Sequence, residues 1–250
     1  MVALVTGAGT GIGKAIALRL AKEGYDVAVH YNSSPKGALE VSEQIRALGR
    51  RAVTIQANLM DINSIAPMFE RIEEELGCVD LFVNNAGITD KAPFLETDEE
   101  LFEKIYKVDV KAAFFCMQNA CKQMIKHNKK GSIVAISSNH YKAHFAQVSV
   151  YGTMKAALNK MVEHVAIEMA KYGIRANIIS PGWVDTGASR LDDKESTYYK
   201  IPMGKWANVD EIADAVVYLA SDSALSITGA NLVIDNGALL LSDKLERYGY

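Results

Sequence analysis

The sequence predicts an α/β fold: one Rossmann-like, doubly wound parallel sheet of about seven strands with helices on both faces. Three observations predict it. Short runs rich in β-branched residues alternate with longer segments of helical periodicity, the pattern of βαβ units. A glycine-rich stretch stands between the first apolar run and the first helical segment, where a nucleotide fold turns from strand to helix. No linker-like Pro, Gly or Ser run interrupts the 250 residues, of which 49% are hydrophobic, so residues 1–250 read as a single domain with a substantial core.

The elements follow in order. Val2-Ala3-Leu4-Val5 opens a strand at 2–6, and Ala15, Ile16, Leu18 and Leu20 mark the apolar face of a helix at 12–23. Strands are then predicted at 26–31, 52–56, 81–84, 132–136, 175–179 and 231–234, each a short apolar or β-branched run. Helices are predicted between them at 36–48, 62–76, 99–127, 151–172 and 210–220. In such a sheet ligands bind beyond the carboxyl ends of the strands, near the switch in strand order, so motifs at strand ends carry the most meaning.

Charge and cysteine usage narrow the function classes. A net charge of −3 gives no electrostatic reason to expect nucleic acid or an anionic membrane as partner. The basic cluster at 126–130 reads as a solvated helix end. Cys78, Cys116 and Cys121 are odd in number and lack metal-ligand spacing, which fits a reducing, cytoplasmic setting with no metal. Met1 is followed directly by the first strand, so no signal peptide is expected, and no apolar stretch reaches the roughly 18 residues a bilayer requires.

Tyr151 and Lys155 lie one helical turn apart, with Ser138 upstream. Alone, a Tyr-x-x-x-Lys pair fits any amphipathic helix. Its company strengthens it: the loop Thr6-Gly7-Ala8-Gly9-Thr10-Gly11-Ile12-Gly13, the turn Asn84-Asn85-Ala86-Gly87 and the pair Pro181-Gly182 all fall at strand ends. The loop has the composition a pyrophosphate needs, since glycines permit close backbone approach and the helix start offers free N–H groups and a positive dipole end. Its spacing differs from G-x-G-x-x-G, the common dinucleotide fingerprint.

On these residues, together with Asn177 and the late run Thr228-Gly229-Ala230-Asn231-Leu232, the whole chain resembles the classical subgroup of the short-chain dehydrogenase/reductase family. It is most similar to the 3-oxoacyl-[acyl-carrier-protein] reductase and glucose 1-dehydrogenase branches. The resemblance implies an NAD(P)(H)-dependent oxidoreductase interconverting a ketone and a secondary alcohol, with Ser138, Tyr151 and Lys155 catalytic and Lys155 also on the nicotinamide ribose. It further implies a cofactor site of Gly7, Gly9, Thr10, Gly11, Ile12, Gly13, Tyr31, Asn32, Ser33, Asn58, Leu59, Asn85, Ala86, Gly87, Tyr151, Lys155, Pro181, Gly182, Val184 and Thr186.

The chemistry is consistent with those roles. Tyrosine titrates near pH 10, so presenting its phenolate at pH 7 costs about 4 kcal/mol. A lysine ammonium at roughly 4 Å, at an effective dielectric of about 20, supplies a comparable interaction. Residues at i and i+4 share a helix face, which sets Lys155 beside Tyr151. Tyr151 then donates the proton in reduction and accepts it in oxidation, while Ser138 holds the substrate oxygen.

Asp109, in Val108-Asp109-Val110, departs from the family, where asparagine holds a water behind the lysine. An aspartate loses both amide donors; ionised, it stabilises Lys155 and partly cancels its action on Tyr151. One reading is a tolerated exchange with Asp109 in the catalytic relay. The alternative is a catalytically impaired nucleotide-binding regulatory or scaffolding protein.

No acidic residue lies between Asp26 and Glu40 to take a ribose 2′-hydroxyl, which favours NADP(H) over NAD(H); Asn32, Ser33, Ser34 and Lys36 offer donors and charge to a 2′-phosphate. Thr10 stands where many NADP-using relatives carry arginine. Residues 139–147 lie where the family's pocket wall runs, with His140 and His144 as pocket-shaping or surface residues, and Trp183 with 184–205 resembles a substrate lid. The lid's polarity favours a hydroxylated or carbonyl-rich small substrate over a long acyl chain. The resemblance also implies a homotetramer built on helices 99–127 and 151–172, and Leu239-Leu240-Leu241 with the tail to Tyr250 is a further candidate contact.

Overall fold

The computed structural model describes residues 1–187, 194 and 197–241. Seven strands form one sheet in the order β3-β2-β1-β4-β5-β6-β9: β1 (Val2–Val5), β2 (Asp26–Tyr31), β3 (Ala52–Gln56), β4 (Leu81–Asn84), β5 (Ser132–Ile136), β6 (Arg175–Pro181) and β9 (Asn231–Ile234). Every neighbouring pair is parallel. The order reverses at β1, which pairs β2 through Val5↔Val29 on one side and β4 through Val5↔Val83 on the other. The glycine loop after β1 and the Asn-Asn-Ala-Gly turn after β4 therefore leave the sheet side by side at the switch point.

Seven α-helices cover the two faces among the described residues: α1 (Gly11–Lys22), α2 (Pro35–Ala47), α3 (Ile65–Glu75), α4 (Glu99–Tyr106), α5 (Ala113–Lys126), α6 (Ser149–Met169) and α7 (Val209–Ala220). The pleat assigns alternate residues of each strand to opposite layers. Leu4, Phe82, Ile133 and Ile178 pack with α3, α5 and α6. Ala3, Val5, Val83, Val134 and Ile179 pack with α1, α2 and α7. Leu4 and Phe82 are wholly buried, so truncating either to alanine costs about 2 to 5 kcal/mol.

Several boundaries differ from the sequence reading. The helix predicted as unbroken over 99–127 contains a π-helical segment, Lys107–Ala112, between α4 and α5. That widened turn holds Asp109 inward, a kind of feature that recurs at functional sites. Strand β1 stops at Val5, freeing the Thr6 hydroxyl to accept from the N–H groups of Asn85 and Ala86 at 2.9 and 3.0 Å. The cluster at 126–130 is not simply solvated: Lys126 and His127 both reach Glu73 on α3 at 2.6 Å, and Lys129 reaches Asp80 at 2.9 Å.

The segment expected as a lid is tied at both ends by a two-residue parallel pair, β7 (Val184–Asp185) with β8 (Ala207–Asn208). Its residues 188–193, 195 and 196 lie outside the described residues, as do 242–250 of the tail. Cys116 and Cys121 are buried core residues whose thiols burial pushes up to about 12 and about 11. Among the described residues no helix is long and apolar enough to cross a membrane.

Candidate active site

The loop between β1 and α1 is shaped by close backbone packing. Gly7 and Gly11 adopt φ of +64° and +53°, the left-handed region glycine favours. At Gly13 a Cβ would stand 2.3 Å from the Gly7 carbonyl oxygen, so only glycine lets α1 start this close to the loop. The Asn85 amide ties the arrangement by donating to the carbonyls of Thr6 at 2.8 Å and Gly7 at 3.3 Å. Thr10 caps α1 without a side-chain hydrogen bond and the first turn holds no acidic residue. The helix start thus keeps its N–H groups and positive end for an anion. Gly9 faces α2, where its carbonyl oxygen would lie 2.5 Å from a Cβ on Gly37, and it does not line the groove.

His30, at the end of β2, is a residue the sequence reading passed over. It is 1% exposed. Its Nε2 lies 3.0 Å from the Ala57 carbonyl, which can only accept, so Nε2 carries the proton; Nδ1 then accepts from Gly7 N–H at 3.1 Å. Burial pushes its pKa down to about 4, against the Ala57 hydrogen bond, so the ring is neutral at pH 7 and links the glycine loop to the end of β3. Only its place at a strand end signalled it; the two bonds depend on tertiary contacts.

A groove of about 420 Å³ runs over these strand ends, lined by Gly7, Thr10, Gly11, Ile12, Gly13, His30, Asn32, Asn58, Leu59, Asn85, Ala86, Gly87 and Thr186, with Met60, Ile88 and Val108. No carboxylate lines it among the described residues. Tyr31, Ser33, Pro181, Gly182 and Val184 do not line it either: Tyr31 and Val184 pack against the α1, α2 and α7 layer, and Gly182 abuts Asp235, where a Cβ would come within 2.7 Å. The free helix start, the loop backbone and a wall that mixes amide with apolar side chains fit a dinucleotide.

At its inner end the groove meets a pocket of about 160 Å³ lined by Ile12, Asn85, Gly87, Thr89, Ile136, Ser137, Tyr151 and Lys155. Lys155 Nζ stands 5.4 Å from the Tyr151 ring centroid and 3.1 Å from Asp109 Oδ2. Asp109 and Lys155 are 1% and 3% exposed. Asp109 Oδ1 accepts from Ile88 N–H at 2.8 Å, whereas Oδ2 accepts no directed hydrogen bond, so its contact with Lys155 is ionic. Burial pulls the Lys155 ammonium down, but the charges of Asp109 and Tyr151 outweigh it and the net displacement is upward. Lys155 stays protonated.

Ser138 lies two residues beyond β5 with its Oγ 3.0 Å from His140 Nδ1, and it accepts from His140 N–H at 3.2 Å. The His140 ring meets Tyr151 edge-on at 5.3 Å. Burial, reinforced by the charge of Lys91, lowers the His140 pKa, so this ring too is neutral at pH 7. His140 therefore joins Ser138 to Tyr151 as a pocket-shaping residue.

The family model described as Enoyl-(Acyl carrier protein) reductase matches residues 7–238. The chain is 36% identical over 245 residues to the L-rhamnose 1-dehydrogenase (NAD(P)(+)) of Sphingomonas sp. (strain SKA58), covering 94% of each chain. It is 35% identical to the 3-oxoacyl-[acyl-carrier-protein] reductase of Staphylococcus aureus (strain Mu50 / ATCC 700699) over 94% of this chain and 96% of that one. The crystal structure of acetoin dehydrogenase YohF from Salmonella typhimurium is similar with a TM-score of 0.91, at 35% identity over 96% of each chain.

Proposed function

This chain belongs to the short-chain dehydrogenase/reductase family of oxidoreductases, and from that premise we propose that it interconverts a ketone and a secondary alcohol with Ser138, Tyr151 and Lys155 as its catalytic residues. The observation that carries the proposal is that the groove over the strand ends and the Tyr151–Lys155 pocket share Ile12, Asn85 and Gly87, so a dinucleotide in the first would end beside the second. A bound dinucleotide would supply or take the hydride. Tyr151 gives its phenolic proton to the carbonyl oxygen in reduction and takes it from the alcohol in oxidation. Lys155, held as an ammonium by Asp109, stabilises the phenolate, and Ser138 donates to the substrate oxygen as charge develops there.

Gly7, Thr10, Gly11, Ile12, Gly13, Asn32, Asn58, Leu59, Asn85, Ala86, Gly87 and Thr186 form the dinucleotide site in this reading, with His30 holding the loop. The carboxylate-free wall beside Asn32 supports NADP(H) over NAD(H). Segment 184–205 serves as the substrate lid. The three free cysteines agree with a cytoplasmic setting.

Assembly as a homotetramer is part of the same proposal. A largely apolar groove of about 770 Å³ between α5 and α6, walled by Met117, Met161, Val165 and Met169, supports burial against a second copy. Phe114 at its rim is 47% exposed. Light scattering that returns four times the chain mass supports this assembly, and a monomer contradicts it.

Consumption of NADPH and of NADH against a panel of ketoses, diketones, ketosteroids and 3-oxoacyl thioesters tests the activity. Turnover faster with NADPH is the expected result. A second reading rests on Asp109 alone: tight NADPH binding with no turnover on any carbonyl would favour a regulatory or scaffolding protein that retains the fold.

A further inference from the structure

Beside the reaction centre lies a second concavity, of about 370 Å³, lined among the described residues by Asn139, Lys142, His144, Phe145, Trp183 and Lys200 together with Ala143, Ala238, Leu239 and Leu241. Ring contacts connect it to Tyr151. His140 lies 5.3 Å from Tyr151 and 4.7 Å from Phe145, and Phe145 meets Trp183 edge-on at 5.5 Å. One aromatic wall thus runs from the tyrosine into the pocket.

The polar groups of this pocket are nearly all donors. Among the described residues Lys142, His144 and Lys200 line it, no carboxylate does, and none of the three has an ion-pair partner. Lys200 merely rests its ammonium 5.2 Å from the Tyr199 ring centroid. Two carboxylates among the described residues are engaged elsewhere: Asp235 accepts from the N–H groups of Gly237 and Leu239 at 3.0 and 2.8 Å, and Asp185 pairs with Lys194. Asn139 adds an independent observation. It is 2% exposed, and its Nδ2 donor has no hydrogen-bond partner. A buried donor left unmatched is costly, and a concave site carrying one sign of charge raises the local concentration of its counter-ion.

We propose that this pocket is an anion subsite and that the substrate is a small oxo acid, or the corresponding hydroxy acid, whose carboxylate lies among Lys142, Lys200 and Asn139 while its carbonyl faces Tyr151. The volume is at the small end for ligand sites, which suits a short acid better than a long acyl chain. The inference rests on the ketone–alcohol reading for the carbonyl end and on the pocket alone for the carboxylate end.

Calorimetric titration of the full chain with NADP+ present tests it, using 2-oxobutanoate, 4-oxopentanoate and 5-oxohexanoate, each against its methyl ester. At least one acid is expected to bind about tenfold or more tightly than its ester. Lys142→Met/Lys200→Met should bring that acid to the level of the ester and leave the ester unchanged. Lys142→Met alone, at an exposed position, gives the same direction if the double variant does not fold. In turnover the preference should appear in KM rather than kcat. Acids and esters that bind alike, or a variant that keeps the advantage of the acid, overturn the subsite. Acid-selective binding without turnover would leave the subsite standing and count against the oxidoreductase chemistry alone.

Discussion

Asp109 and Lys155 oppose each other at 3.1 Å with both side chains buried, one from a π-helical turn and the other from α6. The pair fixes the charge behind Tyr151. Asp109→Asn keeps an acceptor for Ile88 N–H but removes the counter-charge, so the Lys155 ammonium then acts on Tyr151 alone. Alcohol oxidation, in which Tyr151 takes the proton, should then gain kcat/KM at pH 7 by no more than about tenfold. A gain in turnover well above about tenfold at pH 7 with unchanged NADP(H) affinity would instead mark the native enzyme as impaired by its aspartate.

His30 makes the fold acid-sensitive in a defined window. Its folded pKa is lowered to about 4 from an ordinary value of 6.5, so between those limits the unfolded chain binds the extra proton. The contribution is fully present above pH 6.5 and is lost as pH falls toward 4, with a total of about 3 kcal/mol. Urea unfolding from pH 7 to pH 4 should show that loss in the wild type, on top of the carboxylate titrations, and a shallower slope in His30→Gln. Parallel slopes would mean that the ring is not held neutral.

Gly13→Ala places a methyl group 2.3 Å from the Gly7 carbonyl oxygen and 2.6 Å from Asn85 Nδ2. The loop must shift, at a cost of about 1 to 3 kcal/mol, and the groove shifts with it. A lower Tm and a weaker NADPH Kd are expected together. Loss of stability with unchanged NADPH affinity would detach this glycine from the dinucleotide site.

Glu73 illustrates a strong local effect with a small global one. Hydrogen bonds from Lys126 and His127 hold its carboxyl down to about 2. Its partner Lys126 is exposed, however, and pairs of this kind near the surface contribute about 1 kcal/mol or less. Glu73→Gln should move the urea midpoint little at low salt, and not at all at high salt.

The seven strands were legible because each is a short apolar run at a strand-like spacing, and the fold family was legible because Gly13, Asn85, Tyr151 and Lys155 recur at fixed intervals. The π-helical turn was not, since nothing in Lys107-Val108-Asp109-Val110 distinguishes it from an α-helix until Lys155 and Ile88 are placed against it. His30 escaped for the same reason: its two partners, Gly7 and Ala57, come from different strand ends. Gly9 resembled its loop neighbours in sequence, yet its packing against Gly37 turns it from the groove. The donors at Lys142, Asn139 and Lys200 converge only once the segment after β5, Lys200 and residues 238–241 are brought together.

The central claim is that Tyr151 moves the proton in a carbonyl–alcohol interconversion, and turnover of Tyr151→Phe against the wild type tests it most directly. With NADPH affinity unchanged and the ring contact to His140 retained, kcat is expected to fall by about 10²- to 10⁴-fold. Turnover within a few-fold of the wild type would contradict the assignment of Tyr151 and place the proton donor elsewhere.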